Sequence, residues 1–204
     1  MSLLILASAS PRRAALLQQI GLVPDLIVAP EIDETPKARE LPRAYALRMA
    51  KEKAAAAWNG LAEGERAQTP FVLAADTVVS LGRRILPKAH DMADVVRCLT
   101  LLSGRRHTVI TAVALLRDGV KPKLRRVETK VQLRRLLPAE IKTYAMGEEG
   151  LGKAGGYAIQ GQAAVFIKAI NGSYTNVVGL PLNETHALLT GAGFPARHGT
   201  LTHS

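Results

Sequence analysis

The sequence predicts an α/β fold with a mixed sheet, and three observations carry that prediction. Apolar runs of strand length alternate along the whole chain with segments of helical periodicity. The run Phe71 to Val79 is apolar almost without a break, as a strand buried on both faces must be. In the second half Asp118-Gly119 is a hairpin turn signal, and an alternating segment follows it, so part of the sheet is antiparallel.

The first element is the apolar strand around Leu3-Leu4-Ile5-Leu6. A polar turn, Ser8-Ala9-Ser10, leads into a helix with Ser10 suited to the N-cap and Pro11 to the first helical position. Ala14, Ala15, Leu16, Leu17 and Ile20 continue the helix and Gly21 stops it. The turn offers unpaired N–H groups, the positive end of a helix dipole, the hydroxyls of Ser8 and Ser10, and the guanidiniums of Arg12 and Arg13. Together these suit a polyphosphate. An ordinary capped helix with two solvated arginines is the alternative for the same residues.

Leu22 to Val28 reads as a second strand. Glu31-Ile32-Asp33-Glu34 is an acidic loop without neighbouring lysines, which either holds a hard divalent cation or is a solvated turn. Leu41 to Trp58 is a long Ala-rich helix with Leu47, Ala50, Ala54, Ala57 and Trp58 on its apolar side. Lys51 and Lys53 fall on its flanks, and spacing does not distinguish them. Asn59 to Pro70 is a loop.

Asp76 interrupts the apolar run Phe71 to Val79. A carboxylate in a buried strand is expensive unless it is paired or bound to a metal, and acids in that position mark active sites. Leu81-Gly82-Arg83 turns the chain, and Ile85 to Lys88 returns beside the Asp76 strand. Asp91 to Ser103 is an amphipathic helix with Met92, Val95, Val96, Leu99 and Leu102 on its stripe; Cys98 reads as a small buried hydrophobe.

His107 to Leu116 is a strand, Val127 to Arg134 a half-exposed one, and Pro138 to Met146 a short helix. The segment 147–161 is glycine-rich and contains Lys153, Tyr157 and Gln160. It matches neither a phosphate-binding loop nor a dinucleotide fingerprint. It is read either as a backbone that approaches a ligand or as a flexible surface loop. Ala163 to Ile170 is a strand, Asn171 to Asn176 a polar turn, and Gly179 to Gly191 brings the last helix with Pro181 near its first position. The tail from Pro195, with His198 and His203, reads as frayed and solvated.

The chain has 204 residues, enough for one large domain or two small lobes, and is read as a single domain over 1–204. Aromatics are only 4%, so the core is aliphatic. A net charge of +10 attracts phosphate-bearing partners, whether nucleotide or nucleic acid. No basic run is interleaved with stacking aromatics, which argues against a single-strand nucleic-acid binder. No apolar run is long enough for a bilayer, and the opening residues lack a signal-peptide pattern. Cys98 is the only cysteine, which excludes an internal disulfide and fits the cytoplasm.

Five blocks taken together resemble the Maf family of nucleoside triphosphate pyrophosphatases: Ser8-Ala9-Ser10-Pro11-Arg12-Arg13, Ala74-Ala75-Asp76-Thr77, Leu101-Leu102-Ser103-Gly104-Arg105, Lys153 to Gly161, and Val178-Gly179-Leu180-Pro181-Leu182. The resemblance implies an elongated mixed-sheet α/β fold whose two lobes flank a cleft, related to inosine triphosphate pyrophosphatases and often dimeric. It implies hydrolysis of a nucleoside triphosphate to monophosphate and pyrophosphate with a divalent cation, Mg²⁺ or Mn²⁺. By the same resemblance Asp76 is the proton acceptor and, with Glu34, a metal ligand. Lys53 and Lys88 share the catalytic site with Asp76, and Ser8 and Arg13 bind substrate. Arg12, Thr77 and Gln160 resemble the combination of the dTTP/UTP branch. The sequence departs from the family pattern at Gly152, at Ala158, and at Pro87 and Ala89 around Lys88. Two rival readings are a phosphatase acting on terminal phosphates and a basic nucleic-acid-binding or septum-formation regulator without turnover.

Overall fold

The computed structural model describes residues 3–195. Residues from 196 onward, with His198 and His203, lie outside the described part. In chain order the elements are β1 (Leu4–Ala7), α1 (Pro11–Gln19), β2 (Leu26–Val28), α2 (Pro42–Gly60), a single turn α3 (Glu63–Arg66), β3 (Phe71–Leu81), β4 (Arg84–Leu86), α4 (Met92–Leu102), β5 (Arg106–Arg117), β6 (Val120–Leu133), α5 (Pro138–Met146), β7 (Ile167–Asn171), α6 (Tyr174–Val178) and α7 (Leu182–Thr190).

One mixed sheet runs in the order β2-β1-β3-β5-β6-β7, with β4 paired to β3. β1 is parallel to both of its neighbours, and Ala7 aligns with Val28 on one side and Ala74 on the other. The remaining pairs are antiparallel. The chain leaves β1 through α1 toward β2 and then crosses through α2 to β3. α1 packs with α7 on one face of the sheet, and α2 covers the other face. The carboxyl ends of β1 and β3 therefore flank a topological switch point, the place where open α/β sheets form a crevice.

A third apolar cluster lies further along the long strands. It joins Val79, Val109, Val131 and Leu133 to α4, α5, Tyr157 and Phe166, with Cys98 buried among them. The one sheet thus carries three apolar clusters, two on its faces around β1 and one under α4 and α5.

Several boundaries differ from the sequence reading. The stretch read as one strand from Ala163 is a 3₁₀ turn, Gln162–Phe166, and only then β7. Glu149, thirteen residues upstream, accepts hydrogen bonds from the Gln162 and Ala163 N–H groups and caps that turn. The polar turn after Asn171 contains α6, capped by Ser173, whose side chain accepts from Asn176 N–H. β2 is only three residues, because Leu22 is already in the core and Asp25 binds the Leu4 backbone. Pro181 is the N-cap of α7 rather than its first residue. In α1, Ser10 occupies the N-cap position but its side chain caps nothing. Among the described residues no helix is long and apolar enough to cross a membrane.

Candidate active site

At the switch point lies a cavity of about 370 Å³. One wall comes from the β1–α1 turn, α2 and β3, and the other from the chain after β4 and the glycine-rich segment. All the residues singled out from the sequence line it: Ser8, Arg12, Arg13, Glu34, Lys53, Asp76, Thr77, Lys88 and Gln160. Five cationic side chains, counting Lys153, stand there against two carboxylates. That surplus suits a ligand carrying several negative charges.

Asp76 is not a lone acid. It is 5% exposed, and its Oδ1 accepts a 2.6 Å hydrogen bond from Lys53 Nζ. Lys53 also reaches Glu34 Oε1 at 2.8 Å, and Lys88 donates to Glu34 Oε2 at 2.6 Å. The result is an alternating chain, Asp76–Lys53–Glu34–Lys88, running from the buried floor to the rim. The acidic loop thus has lysine partners after all, brought from positions far along the chain. Tyr45 fixes that loop by donating to the Glu34 backbone carbonyl at 2.7 Å. Burial alone would raise the Glu34 carboxyl, but hydrogen bonds from Lys53 and Lys88 outweigh it and hold the pKa down to about 2.

The choice between Lys51 and Lys53 follows from the rotation of α2. Its buried face is Ala46, Met49, Ala50, Lys53, Ala54 and Ala57, while Leu47 and Trp58 are only half-buried. Lys53 therefore lies within the buried stripe and under Asp76, and Lys51 points to solvent. Ala74 on β3 is fully buried and small on the face that α2 covers, which lets α2 approach closely enough for that pair.

Arg13 is buried and bound on three sides. Its Nε donates to Gly179 O at 2.9 Å, one terminal nitrogen to Ser8 Oγ at 2.9 Å, and the other to Thr77 Oγ1 at 3.2 Å. Thr111 Oγ1 donates to Asn176 O at 2.9 Å and lies 2.9 Å from Thr77 Oγ1. A hydroxyl has one proton to give, so Thr77 accepts from Arg13 and donates either to Thr111 or, at 3.4 Å, to Gly179 O. The Thr77 hydroxyl is thereby committed to holding the guanidinium. Burial lowers the Arg13 pKa, opposed by the charge of Asp76.

Arg12 differs. It is half-buried, and burial alone lowers its pKa. Lys153, which the sequence placed in the glycine-rich segment without a role, shares the cavity; burial and then the Arg12 charge lower its pKa. The β1–α1 turn is less rich in free donors than its sequence suggests. Ser8 N–H is spent on Leu6 O, Arg13 N–H on Ser10 O, and Ser10 N–H on Ser8 Oγ.

The glycine-rich segment is a packed wall and not a flexible loop. A Cβ on Gly155 would lie 2.9 Å from Val79, and one on Gly161 would overlap the Glu149 carboxylate. These glycines let the backbone approach protein, not ligand. Ala158 does not stand at positive φ, so its methyl group costs nothing there. Gln160 is exposed at the cavity, between the buried Ile159 and the turn at Gly161.

Among the described residues no group of three or more His, Cys, Asp or Glu side chains is assembled to hold a metal ion. Two carboxylates, Glu34 and Asp76, do face the cavity beside the Ser8 hydroxyl. Such a set fits Mg²⁺ or Mn²⁺ that keeps waters and phosphate oxygens as its other ligands, rather than an all-protein cage.

Residues 3–192 match the family model described as Maf-like protein. A protein of Mesorhizobium japonicum named dTTP/UTP pyrophosphatase is 52% identical over 98% of this chain and 96% of its own. One of the same name from Rhodospirillum rubrum is 55% identical over 96% of this chain and 91% of its own. Among solved structures, a HAM1 protein from Coxiella burnetii aligns over 94% of this chain and 100% of its own, at 15% identity and a TM-score of 0.49.

Proposed function

The chain belongs to the Maf-like family, and from that premise we propose that it hydrolyses dTTP and UTP to the monophosphate and pyrophosphate, cleaning the nucleotide pool in the cytoplasm. The observation that carries this reading is the buried Asp76–Lys53 pair opening on a cavity with surplus positive charge.

Hydrolysis at the α-phosphorus needs an activated water and neutralisation of charge on the departing pyrophosphate. Asp76 takes the proton from that water. Lys53 holds Asp76 in place through Oδ1 at the edge of the cavity. Arg13, oriented by Ser8, Thr77 and the Gly179 carbonyl, presents its remaining N–H groups to phosphate oxygens. Lys88, Arg12 and Lys153 meet the outer phosphates. Gln160, on the opposite wall, reads the pyrimidine edge by its amide.

Glu34 and Asp76 would hold a divalent cation, Mg²⁺ or Mn²⁺, delivered with the substrate. Bound there, the cation neutralises phosphate oxygens. Ion pairing to the lysines keeps Glu34 ionised and available for that exchange.

The test is incubation with each nucleoside triphosphate and Mg²⁺, with products identified. Monophosphate and pyrophosphate, fastest from dTTP and UTP, are the expected result. Orthophosphate and diphosphate would instead mark a terminal phosphatase. No turnover, together with salt-sensitive DNA binding, would mark the nucleic-acid regulator.

A further inference from the structure

His107 sits on β5, 2% exposed, and does not line the cavity. Its Nε2 lies 2.7 Å from the Tyr157 hydroxyl, and the two rings meet edge to face at 5.5 Å. The other ring nitrogen, Nδ1, is buried and has no hydrogen-bond partner among the described residues. The one hydrogen bond this imidazole makes among the described residues is therefore the one to Tyr157. A side chain kept for packing alone would not leave a polar atom unsatisfied in the core, since an apolar residue fills that space at lower cost.

Tyr157 does line the cavity, and it begins the short segment that ends in Gln160. The next residue is fastened as well: Ala158 N–H donates to Tyr144 Oη at 3.2 Å, and Tyr144 in turn donates to Glu149 at 2.7 Å. Ala158 O accepts from Gly161 N–H at 3.1 Å, which closes a turn around Ile159 and Gln160. His107 is locked in the sheet by the pairing of β5 with β6. The contact thus ties the loop wall directly to the centre of the sheet.

We infer that His107 and Tyr157 form a clamp that sets the position of Gln160, so that His107 is a positioning residue for base selection. The inference rests on the proposed triphosphate hydrolysis and on Gln160 reading the base. Burial keeps both partners neutral over the working range: it pushes the His107 pKa down to about 4 and raises that of the Tyr157 hydroxyl. The clamp is thus a hydrogen bond between neutral groups.

The experiment compares pyrophosphate release from UTP and GTP by the native protein and by Tyr157→Phe, His107→Leu and His107→Gln, with melting temperatures alongside. Tyr157→Phe keeps the ring and removes only the hydroxyl. It should raise KM for UTP more than it lowers kcat, and lower the UTP-over-GTP ratio of kcat/KM about tenfold, because Gln160 is displaced from the base edge. His107→Leu should do the same, and His107→Gln should recover much of the ratio, since an amide can bond the tyrosine hydroxyl. A variant series that melts earlier but keeps the native ratio would show that the pair is structural only and overturn the inference. Should His107→Leu not fold, the Tyr157→Phe ratio decides. A native protein that releases no pyrophosphate overturns the functional reading and this inference with it. A native enzyme that discriminates as its Tyr157→Phe variant does overturns the inference alone.

Discussion

The two walls of the cavity are built on opposite principles. The wall made by β1, α2 and β3 is held together by charge: Lys53 joins Asp76 to Glu34, Arg13 is fixed by three acceptors, and Lys88 reaches Glu34 from across the cavity. The wall made by 150–161 is held by neutral hydrogen bonds and close backbone packing, through Tyr157, Ala158 and glycines that admit no Cβ. In the proposed reading phosphates, alike in every nucleotide, would be met by charge. Bases, which differ only in a few donors and acceptors, would be met by position. Disturbing the first wall should therefore change rate and stability, and disturbing the second should change selectivity.

The largest effect expected on the charged wall is from Asp76→Asn. The amide keeps the size of the side chain, and Lys53 keeps Glu34 as partner, so the fold and nucleotide binding survive. Pyrophosphate release should fall by about 10²–10⁴-fold, as loss of a general base does. A near-native rate in a steady-state assay would remove Asp76 from that role.

Lys53→Met comes next, since it leaves Asp76 buried without its partner. Breaking a buried pair in this way costs about 3–5 kcal/mol. Urea denaturation should show that loss, and the double variant with Asp76→Asn should recover part of it. Equal stability of the single and double variants would mean that the two groups are not coupled.

Arg13→Lys preserves charge but loses the fork that three acceptors require. KM for the triphosphate should rise by roughly tenfold, the size expected for losing one charge-assisted hydrogen bond. Gln160 should be indifferent to this change, so the UTP-over-GTP ratio should hold. A changed ratio would break the division of labour between the walls.

The smallest effect is the pH dependence of the Glu34 contacts. Glu34 has its pKa depressed from 4.5 to about 2 in the folded protein. A depressed carboxyl contributes stability above its unfolded value and loses it as pH falls through the folded one. Glu34→Gln should therefore match the native protein more closely in stability at pH 2 than at pH 7. A constant gap between the two in acid titration would contradict the ion-pair chain. Glu34 is partly solvated, so this contribution is reduced by screening.

Much of the molecule was legible before folding. The strand–turn–helix at Ser8 to Arg13, the buried run around Asp76, and the amphipathic α4 follow from apolar spacing and caps, which act over a few residues. The elements that differed are those set by distant groups. Glu149 imposes a helical turn on Gln162 and Ala163, where spacing alone read a strand. Lys53 could not be told from Lys51, because the apolar stripe of α2 is broad and Ala-rich and its rotation depends on the sheet beneath. Lys153, Tyr157 and His107 carried no pattern of their own. The adjacency of His107 and Tyr157 spans fifty residues.

Local chemistry along the chain was enough to specify which residues carry charge, where strands and helices begin, and that a carboxylate had to lie within a buried strand, since periodicity and burial preference are short-range properties. Which cations reach that carboxylate, how Arg13 is aimed, and what holds Gln160 at the opening depend on contacts between distant segments, as in the Arg13–Gly179 bond with a separation of 166. Such contacts come into being when the crossovers close the sheet, because hydrogen bonds and ion pairs act over a few ångströms and are invisible to a linear sequence.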